Sequence, residues 1–376
     1  MMSRSWVEID LGAVAANAKT LMALAPTAEL CAVVKANAYG HGPVAVANAA
    51  LAAGATRLAV AQVDEGIALR QAGVNAEIWV LSEPAADEFT AAKAHDLQPT
   101  VCTTGGIRAA AAAATVAGIT EGEKLVVHLK VDTGMYRTGC QPAEAGDLAA
   151  RIVGIPTLAL GSVWTHLSSA DEPAAPDHYT QRQLDRYRQV LAELAEAGIR
   201  PPLRHAANSA GTMAYPEAHL DVVRCGIALY GMAPSPYLAD HVPLHPALRW
   251  CSAVSLVKRV PAGAEVSYGR RSRLDRPTTL ATVPVGYADG YRRASWNTAA
   301  GVLCGGKVRP IVGVVTMDQL VIDCGDDPVE IGDEVVLLGS QGEVSITADD
   351  LAAALDTINY EITTTIGPRV ERRYFA

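Results

Sequence analysis

The sequence predicts an α/β protein: a (β/α)8 barrel over residues 1–240, followed by a mainly antiparallel β domain over residues 241–376. Three observations predict it. Eight short, β-branched apolar runs alternate with Ala-rich helical stretches in the first part. A glycine closes each of the clearest helices, as a C-cap prefers. Beyond residue 240 the texture becomes Pro-punctuated and strand-rich. With 376 residues, half of them apolar, the chain can bury two separate cores.

The barrel runs, in order, are 31–34, 58–61, 77–81, 98–101, 125–131, 158–165, 203–206 and 222–227. Between them lie helical stretches at Ala45–Ala53, Asp64–Ala72, Ile107–Ala117 and Tyr179–Ala197, closed by Gly54, Gly73, Gly118 and Gly198. In the longest, Leu184, Val190, Leu191 and Leu194 are spaced for burial on one face. An open doubly wound sheet is the rival that the same alternation allows. Pro234, Pro236, Pro243 and Pro246 mark the change of domain. The β domain reads as strands at 252–260, 279–283, 308–315, 319–323 and 334–338, with one late helix capped by Thr347 and Asp350.

Charge and composition exclude several functions. The net charge of -9 opposes a non-specific nucleic-acid or anionic-membrane binder. No apolar stretch is long enough to span a bilayer, and Glu8 and Asp10 stand where an export signal would carry its apolar segment. The 7 cysteines are scattered without a C-x-x-C pair, which fits a reducing cytoplasm and opposes a cysteine-based zinc site. The 9 histidines form no H-E-x-x-H pair, so no catalytic metal is expected.

The densest chemical signal is A-V-V-K-A-N-A-Y-G-H-G at 32–42. Lys35 follows a buried strand directly, and on a barrel that is the rim where active sites are built. Apolar surroundings disfavour its charged form, and a neutral amine forms a Schiff base with a carbonyl. Tyr39 offers a hydroxyl to an oxyanion, and Gly40 and Gly42 permit close backbone approach. After the seventh and eighth strands, Asn208, Ser209 and the backbone of Gly226 and Ile227 form a candidate phosphate cradle. No nucleotide-binding glycine loop is present. A carbonyl-seeking lysine beside a phosphate site points to pyridoxal phosphate.

The run V-V-K-A-N-A-Y-G-H-G resembles the cofactor-attachment signature of alanine racemases. The likeness continues through K-V-D-T-G-M-Y-R at 130–137, T-H-L-S-S-A-D at 165–171, H-A-A-N-S-A-G at 205–211 and V-R-C-G-I-A-L-Y-G at 223–231. In the second domain it runs through V-S-Y-G at 266–269, V-G-Y-A-D-G-Y at 285–291, T-M-D-Q at 316–319 and I-N-Y-E-I at 358–362. The resemblance implies a pyridoxal phosphate-dependent isomerase that interconverts L- and D-alanine for peptidoglycan. It implies a cytoplasmic homodimer with shared sites.

Residue by residue, the resemblance makes Lys35 and the partner subunit's Tyr268 the two bases. Tyr39, Ser209, Tyr360, Gly226 and Ile227 would hold the phosphate, and Arg224, supported by His166, would face the pyridine nitrogen. Arg137 would meet the substrate carboxylate, braced by a carbamylated Lys130. Met317 and Tyr287 of the partner subunit would bind substrate and line its access, with Asp171 and Arg293 further out. Thr316 replaces a cysteine common among relatives, and Tyr136 stands where a small residue is common. A decarboxylase on the same two-domain plan, a barrel-only pyridoxal phosphate carrier and a serine racemase are the rival readings.

Overall fold

The structure is a computed structural model, and it describes residues 4–116, 124–173 and 178–376. It separates into two compact units. One comprises Ala13–Ala38 and Pro43–His245. The other comprises the N-terminal stretch to Gly12, Tyr39–Gly42 and Pro246–Ala376.

The chain begins with a strand the sequence reading did not mark, β1 (Ser5–Asp10), and it belongs to the second unit. Ser5, Val7 and Ile9 alternate inward along it, the period-2 signature of a half-buried strand. The first unit then contributes eight parallel strands: β2 (Glu29–Val33), β3 (Arg57–Val60), β4 (Glu77–Val80), β5 (Gln98–Val101), β6 (Leu125–Lys130), β7 (Leu158–Trp164), β8 (Leu203–His205) and β9 (Val222–Cys225). Their order is β8-β7-β6-β5-β4-β3-β2-β9. Backbone bonds from Asp221 N–H to Arg204 O (3.1 Å) and Arg224 N–H to Ala207 O (3.0 Å) bring the two ends together. The sheet is therefore a nearly closed (β/α)8 barrel, and the open doubly wound rival is set aside. All eight expected strands are present within one or two residues.

Helices cover the barrel at Pro43–Ala53, Val63–Gln71, Thr104–Val116 and Tyr179–Glu196, as expected, and also at Leu11–Leu24, Glu88–Ala94 and Ala145–Gly154. Gly54, Gly73 and Gly198 all take positive φ just past a helix end. Ala117 and Gly118, proposed to end the third of the expected helices, lie outside the described residues. On the long helix Leu184, Val190 and Leu194 are buried, but Leu191 is only half-buried. Gln183 and Tyr187 fill that face instead, because Gln183 Oε1 accepts from Ser168 N–H (2.8 Å) and the Tyr187 hydroxyl donates to Val163 O (2.6 Å).

The second unit carries a seven-stranded sheet in which β1 lies between an antiparallel strand, β10 (Leu248–Ala253), and a parallel one, Glu371–Phe375. A three-stranded antiparallel sheet combines Leu256–Val260, Thr278–Val283 and Leu320–Gly325. Three expectations need correction here. The run 252–260 is not one strand: it breaks after Ala253 and its halves join different sheets. The run 308–315 is a strand only within Lys307–Pro310, since Pro310 lacks the donor to continue. Two late helices form rather than one, Ala348–Leu355 and Asn359–Thr364. The first begins as expected, with Thr347 Oγ1 accepting from Asp350 N–H (3.0 Å) and Asp350 accepting from Thr347 N–H (2.8 Å).

Candidate active site

Lys35 leaves β2 into a turn that no side-chain pattern announces. Ala36, Asn37, Ala38 and Tyr39 all have φ between 50° and 55°, a left-handed turn made without glycine. Such a conformation costs roughly 1–2 kcal/mol per residue, so neighbours must hold it. Ala38 N–H donates to Val34 O (3.0 Å), closing the turn. Glu65 Oε1 accepts from Ala36 N–H (2.6 Å), while its other oxygen accepts from Ala61 and Gln62 N–H (2.7 and 3.1 Å). One carboxylate thus caps the helix Val63–Gln71 and pins the residue next to Lys35. Burial lowers the Lys35 pKa, Arg137 lowers it further, and Glu65 opposes both. More of the amine is therefore neutral and nucleophilic than in an ordinary lysine.

The barrel interior gathers further cations. Arg224, 3% exposed, donates through Nη1 to His205 Nδ1 (2.8 Å) and through Nη2 to the carbonyls of Thr165 (2.9 Å) and Ala206 (3.0 Å). A longer contact reaches His166 Nδ1 (3.4 Å). Every one of these partners is neutral, and Arg224 has no ion pair among the described residues. Its guanidinium and the Lys130 amine both lie over the Trp164 ring, at 4.8 and 4.4 Å. Lys130 donates to Thr138 Oγ1 (2.6 Å), and burial with the charges of Arg137 and Arg224 brings its pKa down to about 8. His166 is held well below the ordinary histidine range by burial first, then by Arg224, Lys130, Arg137 and Lys35. That one imidazole feels four cations means the barrel mouth is rich in positive charge, a setting for an anionic ligand.

Asp132 shapes the loop that carries Arg137. Its Oδ1 accepts from the N–H groups of Gly134, Met135 and Tyr136 (2.9, 2.9 and 3.0 Å). Tyr136 sits in the left-handed region and is 74% exposed. After β8 and β9, Ser209 Oγ accepts from Gly226 N–H (3.0 Å) and more weakly from Ala228 N–H (3.4 Å), so hydroxyl and turn already converge. Asn208 opens the short helix Ser209–Ala214. Its Oδ1 caps the short helix after it through Gly211 N–H (2.9 Å) and its Nδ2 donates to Leu167 O (3.2 Å). Asp171 is half-buried, and its backbone carbonyl accepts from Ser235 Oγ (2.5 Å).

In the second unit Tyr39 is buried, with its ring 6.1 Å from that of Tyr360. The glycines beside Tyr39 serve close packing. A Cβ on Gly40 would overlap the Thr363 carbonyl, and one on Gly42 would overlap the Tyr374 hydroxyl. Tyr287 and Met317 come together through backbone bonds, Tyr287 N–H to Thr316 O and Ala288 N–H to Met317 O, both 3.0 Å. Thr316 turns that corner by donating its hydroxyl to Gln319 O (2.8 Å). Tyr268, Met317 and Tyr287 are 75%, 54% and 42% exposed, and Arg293 is exposed.

The family models of the alanine racemase N-terminal and C-terminal domains match residues 9–234 and 247–374. The chain belongs to the alanine racemase family. It is 48% identical to an alanine racemase of Symbiobacterium thermophilum, over 99% of this chain and 97% of the relative. Among solved structures, the alanine racemase of D-cycloserine-producing Streptomyces lavendulae is 42% identical, with a TM-score of 0.93 over 100% of this chain and 98% of that one. A histidine racemase of Leuconostoc mesenteroides shares the fold at 31% identity and TM-score 0.90, over 100% of this chain and 99% of that one. The fold of this family therefore serves more than one amino-acid racemase.

Sequence reading missed several residues that the site depends on. Glu65 lies in an ordinary-looking helix start, and its carboxylate shows its second partner only in space. Thr138 was not singled out and Trp164 was read only as part of a strand, yet both contact Lys130. His205 stands in the quoted H-A-A-N-S-A-G run and ends the strand Leu203–His205, a position on the barrel that could have been used as a signal.

Proposed function

We propose that this chain is an alanine racemase that uses pyridoxal phosphate, with Lys35 and the partner subunit's Tyr268 as bases on opposite sides of the substrate Cα. The observation that carries this reading is Arg224: a buried guanidinium whose described partners are all neutral and which can only donate. Facing a pyridine nitrogen, Arg224 could only donate to it and would leave it unprotonated, a weaker electron sink that would favour return of the proton to Cα. That suits racemisation better than decarboxylation or transamination.

The residues present fit the cofactor. Lys35 supplies a depressed amine, and four cations about His166 suit a phosphorylated, phenolic ligand. Ser209 and the turn at Gly226–Ile227 suit a phosphate, with Tyr39 and Tyr360 adding hydroxyls. When bound, pyridoxal phosphate draws electron density from the substrate and so acidifies its Cα–H.

In this reading Lys35 takes the Cα proton of one enantiomer and Tyr268 returns one from the other face, and the reverse reaction exchanges their roles. Positioned proton transfer of this kind contributes about 10²–10⁴-fold. Arg137 binds the substrate carboxylate, and the low pKa of Lys130 supports its capture of carbon dioxide as a carbamate, whose negative charge would brace Arg137. Met317 and Tyr287 restrict the space for a side chain, and Asp171 and Arg293 flank the access. The exposure of Tyr268, Met317 and Tyr287 supports a homodimer in which a second copy covers them. The 7 free cysteines support a reducing cytoplasm. D-Alanine made there would serve peptidoglycan.

The test mixes two inactive variants, Lys35→Ala and Tyr268→Ala, with pyridoxal phosphate in deuterated water, and supplies L-alanine, L-serine or L-histidine. Hybrid dimers hold one intact site of two bases, so alanine racemisation with Cα deuteration should return. No recovery, or faster turnover of serine or histidine, overturns the corresponding part of the proposal.

A further inference from the structure

Beneath the site, a single file of polar side chains crosses the barrel interior, one from each of five neighbouring strands. Gln98 opens β5, His128 lies in β6, Ser162 in β7, His205 ends β8 and Arg224 lies in β9. The contacts are Arg224 Nη1 to His205 Nδ1 (2.8 Å), His205 Nε2 to Ser162 Oγ (2.8 Å), Ser162 Oγ to His128 Nδ1 (2.7 Å) and His128 Nε2 to Gln98 Oε1 (2.9 Å). His205 and Ser162 are 0% exposed and His128 is 2% exposed.

The fold builds this file deliberately. A register shift between β6 and β7 opposes His128 to Ser162 and leaves Gly161 as the extra residue. A Cβ at Gly161 would stand 2.9 Å from His128 Cε1, so the glycine makes room for the ring. Trp79 stacks on His205 and reaches His128, each at 4.7 Å, and Trp164 stacks on the other side of His205 at 5.5 Å.

We propose that Gln98, His128, Ser162 and His205 form a one-way hydrogen-bond relay that positions Arg224 as a fixed donor, with the direction set by the Arg224 guanidinium and kept by a neutral acceptor at Gln98. A guanidinium cannot accept, so His205 Nδ1 must accept and its proton sits on Nε2. Nε2–H then donates to Ser162, whose only proton goes to His128 Nδ1. His128 carries its proton on Nε2 and gives it to the Gln98 carbonyl. Each donor has one acceptor and no proton has an alternative place. Bonds aligned head to tail also strengthen one another in a dry interior.

The relay requires both imidazoles to be neutral. Burial, together with Arg57 near one end and Arg224 at the other, holds His128 down to about 3 and His205 well below the ordinary range. A second proton on His128 would reverse the file. Nδ1–H would donate to Ser162, Ser162 would donate to His205 Nε2, and His205 would turn an N–H against the Arg224 N–H. A neutral amide at position 98 avoids this, whereas a carboxylate would invite it. This inference rests on the proposed role of Arg224 toward a pyridine nitrogen, and it makes Gln98 and His128 positioning residues for that role.

Gln98→Glu and Gln98→Leu separate the relay from simple packing. In the purified protein carrying ¹⁵N-histidine, the parent should show His128 and His205 as neutral Nε2–H tautomers. In Gln98→Glu, His128 should carry two protons and His205 should switch to Nδ1–H. With pyridoxal phosphate and alanine, Gln98→Glu should lower kcat roughly 10–100-fold, shift the coenzyme absorption band and release pyruvate. Gln98→Leu, which removes the acceptor without reversing the file, should retain the parental tautomers and lose less than about 3-fold. Parental tautomers in Gln98→Glu, or equal losses in both variants, overturn the relay. The relay stands on the tautomers whether or not the protein takes up the coenzyme. Expected tautomers in a protein with no coenzyme band therefore support the relay and overturn the cofactor reading alone.

Discussion

The residues proposed for the site are held in opposite ways in the two units. In the barrel, Arg224, Ser209 and Lys130 are 3%, 4% and 5% exposed, and each is held by hydrogen bonds from its own unit. In the β unit, Tyr268, Met317 and Tyr287 rank among the most exposed large apolar side chains described. Buried polar groups demand partners, so the barrel side is fixed as the unit folds. Exposed rings on a turn carry no such demand, and their positions wait on whatever covers them. On the proposed reading, the difference would place affinity for an anionic cofactor in the barrel and make the second base depend on assembly.

The largest test of that contrast is Tyr268→Phe. Removing one hydroxyl from the exposed side should cut racemisation by roughly 10²–10⁴-fold while leaving the melting temperature and coenzyme absorption unchanged. Polarimetry with calorimetry checks it, and a loss of coenzyme binding would place Tyr268 in the preformed half. Next comes Arg224→Glu on the buried side. It should slow racemisation by about 10²-fold, divert turnover to pyruvate and lower the thermal midpoint, because a buried cation is replaced by an anion among the same neutral partners. Pyruvate assay with lactate dehydrogenase reads the diversion.

A smaller effect concerns pH. Lys130 titrates near 8 in the folded barrel, against roughly 10.4 in an unfolded chain. Between these values the unfolded chain binds more protons, so this group makes stability rise with pH across that window. Its penalty is fully present below pH 8 and gone above the unfolded pKa. Urea midpoints in carbon dioxide-free buffer should show that rise, worth up to a few kcal/mol, and Lys130→Met should flatten it. The smallest effect lies far from the chemistry. Thr347→Ala removes the cap on Ala348–Leu355 and should cost about 1 kcal/mol of stability, with kcat unchanged.

Much of the barrel was legible because parallel strands buried on both faces read as apolar runs, and all eight were placed. The β unit was less legible. The run 252–260 is continuous in hydropathy but divides between two sheets, and β1 pairs with strands more than 200 residues away. Pairing partners at such separation leave no local trace. Of the site residues, Lys35, Tyr39, Ser209 and Arg224 stood in dense motifs. Glu65 and Gln98 did not, since each acts through one bond to a residue distant in sequence.

The amino-acid sequence by itself determined the alternation that builds a barrel, the helix caps, and an amine at the end of a buried strand. Those follow from local periodicity and chain chemistry. Only the tertiary structure decided that the four residues after Lys35 turn left-handed, that one carboxylate holds them there, and that five strands align their side chains into a file with a single direction. Hydrogen bonds have direction and reach only about 3 Å, so which groups form them is settled when distant strands are brought side by side.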